Sequence, residues 1–126
     1  MFKGKNNKKE KQKIFGQELI LDLYGCDLEI MQSKKKIKEF CKKICELIRI
    51  NRVGEPFIRN TGKGDLAGYS ICQFLETSSI IIHTCDPILE IYLNVFSCRL
   101  FDNKKAVDFT KRFFKPKKMK KIFLLR

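Results

Sequence analysis

A serine, a lone imidazole and a thiol stand at Ser78, His83 and Cys98. His83 is the only histidine in the chain and follows the serine by five residues, in Thr77-Ser78-Ser79-Ile80-Ile81-Ile82-His83-Thr84. Cys98 ends the run Val95-Phe96-Ser97-Cys98. A hydroxyl nucleophile, a base and a weakly acidic thiol are the groups needed by a chain that cuts its own backbone and turns the serine into a prosthetic group. Singly, each has a plainer use. Ser78 could sit at a strand edge, His83 could be structural, and cysteine is commonly buried. The chemical reading rests on the three together.

These residues need a scaffold, and the hydrophobic pattern supplies one. Between Phe15 and Tyr24, Leu19, Leu21 and Leu23 alternate with Ile20 and Asp22, which predicts a strand ended by Gly25-Cys26-Asp27. Ser33 can cap a helix running to about Asn51, with Ile37, Phe40, Cys41, Ile44, Leu47 and Ile48 on one buried stripe. Val53 to Arg59 reads as a short edge strand because it contains Pro56. Asn60 to Asp65 is turn-rich. Its two glycines beside Lys63 lack the rest of a phosphate-loop pattern. Ala67 to Leu75, Ser79 to Thr84 and Leu89 to Cys98 read as further strands. Asp102 can cap a second helix through about Phe114, Lys115-Pro116 breaks it, and Lys120 to Leu125 can form a last strand. The order β-α-β-β-β-β-α-β with short links predicts an α+β fold, an antiparallel sheet with helices on one face.

The length fits one domain, expected over 14–126, after a lysine-rich tail at 1–13 expected to be disordered. No apolar run approaches a membrane span and the N-terminal stretch has no apolar core, so a cytoplasmic protein without a membrane partner is expected. The formal charge is +13, part of it in the tail and part in Lys111, Arg112, Lys115, Lys117, Lys118, Lys120 and Lys121. Without interleaved aromatics or an arginine-rich groove, the basic clusters read as solvated surface and not as a nucleic-acid site. The six cysteines include no CxxC pair, and with a single histidine no metal site is expected. Cys41 and Cys45 share a helix face and read as buried hydrophobes.

From about residue 15 to 125 the chain resembles the small, prokaryotic-type S-adenosylmethionine decarboxylases, pyruvoyl-dependent proenzymes of polyamine (spermidine) synthesis. Leu19-Ile20-Leu21-Asp22-Leu23-Tyr24-Gly25-Cys26-Asp27 is similar to the family's opening strand. Gly68-Tyr69-Ser70 is similar to its glycine-x-serine segment, and Ser78 stands where its self-cleaving serine stands. His83-Thr84 matches its histidine-threonine pair, and Val95-Phe96-Ser97-Cys98 resembles its valine-phenylalanine-threonine-cysteine. No gap is needed from Ser70 to Cys98. The resemblance implies a two-layer α/β sandwich and a homodimer.

It also implies roles. Decarboxylating an amino acid leaves an electron pair on Cα, which no ordinary side chain accepts. A pyruvoyl group made from Ser78 can accept it, after the substrate amine condenses with its ketone as an imine. By resemblance, Ser78 attacks the Thr77 carbonyl, His83 removes the α-proton of residue 78, and Ser70 assists. The chain divides into 1–77 and 78–126. Cys98 later protonates the substrate carbon, since a thiol can donate near neutral pH.

Several positions depart from the family pattern, among them Cys85-Asp86-Pro87 in place of its tryptophan-proline-glutamate. Thr77 replaces the glutamate before the cleaved serine. Pro87 stands where a glutamate binds the ribose hydroxyls, and Asp86 beside it can substitute. Gly64 stands where a phenylalanine stacks on adenine, and Phe57 is nearby. Arg99 replaces a glycine. Self-processing positions are thus intact while recognition positions change. The same chemistry could act on ornithine or arginine, whose distal cation would need a carboxylate such as Asp22, Asp65, Asp86 or Glu90. A reading of another class is a non-catalytic homologue that binds a partner or a polyanion.

Overall fold

A computed structural model describes residues 13–126; the rest of the tail expected to be disordered lies outside the described residues. The elements in chain order are β1 (Gln17–Tyr24), α1 (Leu28–Met31), α2 (Lys34–Ile48), β2 (Phe57–Thr61), β3 (Gly68–Leu75), β4 (Ser78–Cys85), β5 (Glu90–Ser97), α3 (Asn103–Phe114) and β6 (Lys118–Leu125). The strands form one antiparallel sheet in the order β2-β3-β4-β5-β1-β6. The α+β sandwich expected from the sequence is what the chain forms.

Strand alternation explains which face is covered. Leu19, Leu21 and Leu23 of β1, Ile80 and Ile82 of β4, and Ile91, Leu93 and Val95 of β5 are buried on the helix side. Against them α2 lays Ile37, Phe40, Cys41, Ile44, Cys45 and Ile48, and α3 lays Ala106, Val107, Thr110 and Phe114. Phe40 sits where the helices meet, 4.8 Å from the Phe114 ring and 5.5 Å from the Phe109 ring, centroid to centroid. Each such side chain removed from water contributes about 1.5–3 kcal/mol. The helices start at side-chain caps. Ser33 Oγ accepts from the Lys36 N–H, and Asp102 accepts from the Lys105 N–H. Both end on a left-handed residue, Arg49 and Lys115.

Among the described residues no helix covers the other face. Phe57, Phe74, Tyr92, Ile122 and Leu124 are exposed on it, together with polar residues. Among the described residues no helix is long and apolar enough to cross a membrane.

Candidate active site

Gly68 begins the positioning of the histidine. A Cβ at this residue would collide with the Thr84 carbonyl oxygen, so only glycine lets β3 approach β4 here. The Tyr69 N–H then donates to Thr84 Oγ1 at 2.9 Å. Two residues on, Ser70 stands opposite His83 in the β3–β4 register. Ser70 Oγ lies 2.8 Å from His83 Nδ1 and 2.6 Å from Thr61 Oγ1 of β2. Thr61-Ser70-His83 is thus a continuous hydrogen-bonded relay on the uncovered face.

Register extends this relay into a row across all six strands: Arg59, Ser70, His83, Tyr92, Asp22 and Lys120 stand opposite one another in turn. Asp22 therefore shares a face with His83, two strands away. Tyr92 lies between them and donates its hydroxyl to Glu90. That bond to a carboxylate, with burial second, pushes the phenol well above its ordinary pKa.

Ser78 and Cys98 form a second pair at the far end of β4. The Cys98 backbone N–H donates to Ser78 Oγ at 2.8 Å, and Cys98 Sγ lies 3.5 Å from the Glu76 carbonyl oxygen. Ser78 is buried and Cys98 half-buried. Between the two strands Glu76 and Thr77 make a two-residue link, and Thr77 has φ +50°. The next residue on the thiol side, Arg99, donates from its guanidinium to the Arg49 carbonyl at the end of α2.

The four sequence-derived catalytic residues thus fall into two pairs. Five steps along β4 at about 3.3 Å each put Ser78 roughly 17 Å from His83, and the odd offset turns their side chains to opposite sides of the sheet. One chain does not bring all four together.

Of the sequence-derived recognition residues, Asp86 accepts from Thr84 Oγ1 at 2.9 Å, directly after β4. Phe57 lies on the uncovered face of the edge strand, half-exposed and edge-on to Phe74 with ring centroids 5.9 Å apart. Asp22 stands on β1, Asp86 directly after β4 and Phe57 on the edge strand β2, so the three come from separate parts of the sheet. Gly64 and Pro87 lie in single-turn segments, Gly64–Leu66 and Asp86–Ile88. Thr61 is the residue that sequence reasoning missed. Among the described residues no group of three or more metal-ligating side chains is assembled.

The remaining thiols differ from Cys98 in setting. Burial pushes Cys26, Cys41 and Cys45 up to about 12, so they are protonated, inert core groups.

Comparison with known proteins places the chain in a family. The model of the family described as S-adenosylmethionine decarboxylase matches residues 17–126. An S-adenosylmethionine decarboxylase proenzyme of Clostridium botulinum (strain Loch Maree / Type A3) is 28% identical over 113 residues, covering 87% of this chain and 94% of the relative. The protein of the same name from strain Langeland is 29% identical over the same shares. The crystal structure of the adenosylmethionine decarboxylase from Aquifex aeolicus VF5 superposes with a TM-score of 0.75 at 20% identity, over 91% of this chain and 92% of that one, and so shares its fold.

Proposed function

Since the chain belongs to the S-adenosylmethionine decarboxylase family, we propose that it is a proenzyme that cuts itself between Thr77 and Ser78 and then decarboxylates S-adenosylmethionine for polyamine synthesis in the cytoplasm. The observation that carries the processing step is the Ser78–Cys98 pair: a buried hydroxyl held at 2.8 Å by a backbone N–H, adjoining a peptide link whose preceding residue has a left-handed φ.

The Ser78 oxygen attacks the Thr77 carbonyl carbon. The C–N bond breaks as the ester C–O bond forms, and the serine nitrogen takes the hydroxyl proton. A base then removes the α-proton of residue 78, the Thr77 carboxylate departs, and the chain is cut. The dehydroalanine left behind adds water through its imine form and loses ammonia. His83 is the base. If its Nδ1–H donates to Ser70 and Ser70 donates to Thr61, Nε2 keeps a free lone pair.

Within one chain His83 is too far from residue 78, which supports a homodimer. A second copy packed across the uncovered face, related by a two-fold axis, lays one end of β4 over the opposite end of its mate. The partner's His83 then serves Ser78. The exposed Phe57, Phe74, Ile122 and Leu124 supply apolar surface for that packing.

The residues fit the making of a pyruvoyl group at position 78: a serine to make it from, a backbone donor that holds the serine's Oγ before it leaves with Thr77, and a thiol beside the turn. Once formed, that group supplies the ketone that condenses with the substrate amine and takes up the electron pair released with CO₂. Cys98 holds the proton for the substrate carbon at Sγ. Asp86, already oriented by Thr84, is the carboxylate for the ribose hydroxyls next to Pro87. Phe57 offers a ring for adenine in place of Gly64, and Asp22 offers charge on the same face for the cationic substrate.

Intact mass spectrometry of the purified chain tests the proposal. Two fragments, 1–77 and a 78–126 that carries a carbonyl, are expected, and borohydride should trap S-adenosylmethionine on the second. One uncut chain overturns the enzymatic reading; trapping of ornithine or arginine instead overturns the substrate.

A further inference from the structure

Thr77 is a β-branched residue held where glycine or asparagine belongs. Its φ of +50° is in the left-handed region, in the two-residue link that leads from Leu75 to Ser78, which stand opposite each other. L-residues avoid this region because Cβ crowds the following carbonyl oxygen, and branching at Cβ makes the crowding worse. Among the described residues three other non-glycine residues share the conformation: Arg49, Leu89 and Lys115. Arg49 and Lys115 close helices, Leu89 closes a single turn, and none of the three is branched at Cβ. Thr77 alone pairs the strain with a bond that is to be broken.

Strain persists only where neighbours over-determine the backbone. Here they do so from both sides. The Glu76 N–H donates to the Asn51 carbonyl at 3.2 Å, and the Val53 N–H donates to the Phe74 carbonyl at 2.8 Å. Arg52 makes an isolated bridge to Leu75. The segment 49–53 therefore runs alongside the end of β3 and ties the link to the end of α2. On the opposite side Cys98 holds Ser78 Oγ and approaches the Glu76 carbonyl, while Arg99 bonds the Arg49 carbonyl. The link cannot relax without breaking these contacts.

We propose that this clamp stores conformational strain at Thr77 and that the strain accelerates self-cleavage. The inference rests on the self-processing reading. While residues 77 and 78 are joined by a peptide bond, Thr77 must hold its crowded φ. As the carbonyl leaves the amide plane and passes to an ester, the constraint between the two residues loosens. Once the chain is cut, Thr77 is a free end and the strain is gone. Destabilising the uncut amide relative to the ester and the cut chain lowers the barrier to cleavage, and the Thr77 hydroxyl takes no part.

The test is a set of substitutions at Thr77 in the full-length chain, with cleavage followed by gel from the moment of refolding. Glycine accepts positive φ freely, so Thr77→Gly should cleave about tenfold more slowly, the factor that corresponds to strain of this class. Thr77→Asn, which tolerates the region better than threonine, should fall between. Thr77→Val keeps the branch without the hydroxyl and should cleave at the wild-type rate. In the uncleavable Ser78→Ala background, adding Thr77→Gly should raise the denaturation midpoint. A residue that merely supported the fold would lose stability and rate together; here they move in opposite directions. Thr77→Gly cleaving as fast as wild type, Thr77→Val cleaving as slowly as Thr77→Gly, or a lower midpoint for the glycine variant would each overturn the strain reading while leaving self-cleavage intact. A wild-type chain that never cuts removes both readings.

Discussion

Ser78 and His83 lie on the same strand, five residues apart, and point to opposite sides of the sheet. Ser78, the proposed nucleophile, is tied to Cys98, and His83, the proposed base, to Ser70, toward opposite ends of β4. Complementation should reveal how they meet. Ser78→Ala retains the base and lacks the nucleophile; His83→Ala has the reverse. Each alone should stay uncut. When the two are unfolded together and refolded as a mixture, the His83→Ala chain should be cut while the Ser78→Ala chain remains whole. Distinct mass tags on the two chains make the outcome readable. Cutting of neither chain would show that the base acts within its own subunit.

The relay behind His83 predicts a graded effect on processing. Thr61 Oγ1 and Ser70 Oγ form successive links to Nδ1. A hydrogen bond of this kind has a net worth of about 0.5–1.5 kcal/mol, or roughly two- to tenfold in rate. Ser70→Ala breaks the direct link and should slow cleavage by about tenfold. Thr61→Val keeps the shape and removes the outer link, and should slow it by about twofold. The ordering is the informative part: a larger loss from Thr61→Val than from Ser70→Ala would show that the relay does not run through the serine.

Much of this arrangement was legible in the sequence, and the parts that were not have physical causes. The leucine alternation at Leu19, Leu21 and Leu23 and the caps at Ser33 and Asp102 are local signals, and each element starts within two residues of where they put it. The last strand begins at Lys118, earlier than expected, because Lys118-Met119-Lys120-Lys121 on an edge has little burial to advertise it. β2 starts at Phe57, later than expected: 50–53 is extended beside β3 but joins it by only one bridge. The short helix at Leu28–Met31, capped by Asp27, is too brief for a periodicity to register. Family spacing nominated the residues proposed for the site, but spacing has no third dimension. The odd offset between Ser78 and His83 already implied opposite faces. Thr61 was hidden in a turn-rich stretch, and only the pairing of β2 with β3 brings it to Ser70.

The buried thiols predict loss of stability in alkali. Cys26, Cys41 and Cys45 are raised from 9.0 to about 12 by burial, while in the unfolded chain they ionise near their ordinary value. Above pH 9 the unfolded state therefore binds fewer protons than the folded state, and stability falls as pH rises toward 12. Lysines and tyrosines titrate in the same window, so comparison with a variant isolates the thiol. Urea midpoints of Ser78→Ala and of Ser78→Ala with Cys41→Ala should converge as pH climbs from 8 to 11, the cavity left by the shorter side chain setting their difference at pH 8. A constant difference across that range would refute burial as the cause.

Cys98 has two roles that one substitution separates. Its backbone N–H holds Ser78 Oγ, whereas its thiol is assigned to proton donation. Cys98→Ala removes only the thiol. The amide remains, so the precursor should still cut itself at close to the wild-type rate. Turnover of S-adenosylmethionine should then fall by about 10²–10⁴, the usual worth of a positioned general acid. The two readouts come from the same preparation: a denaturing gel reports cleavage, and CO₂ release reports turnover. An uncut Cys98→Ala chain would mean that the thiol, 3.5 Å from the Glu76 carbonyl oxygen, is needed to hold the link for attack. A fully cut chain with undiminished turnover would move the proton donor to another residue.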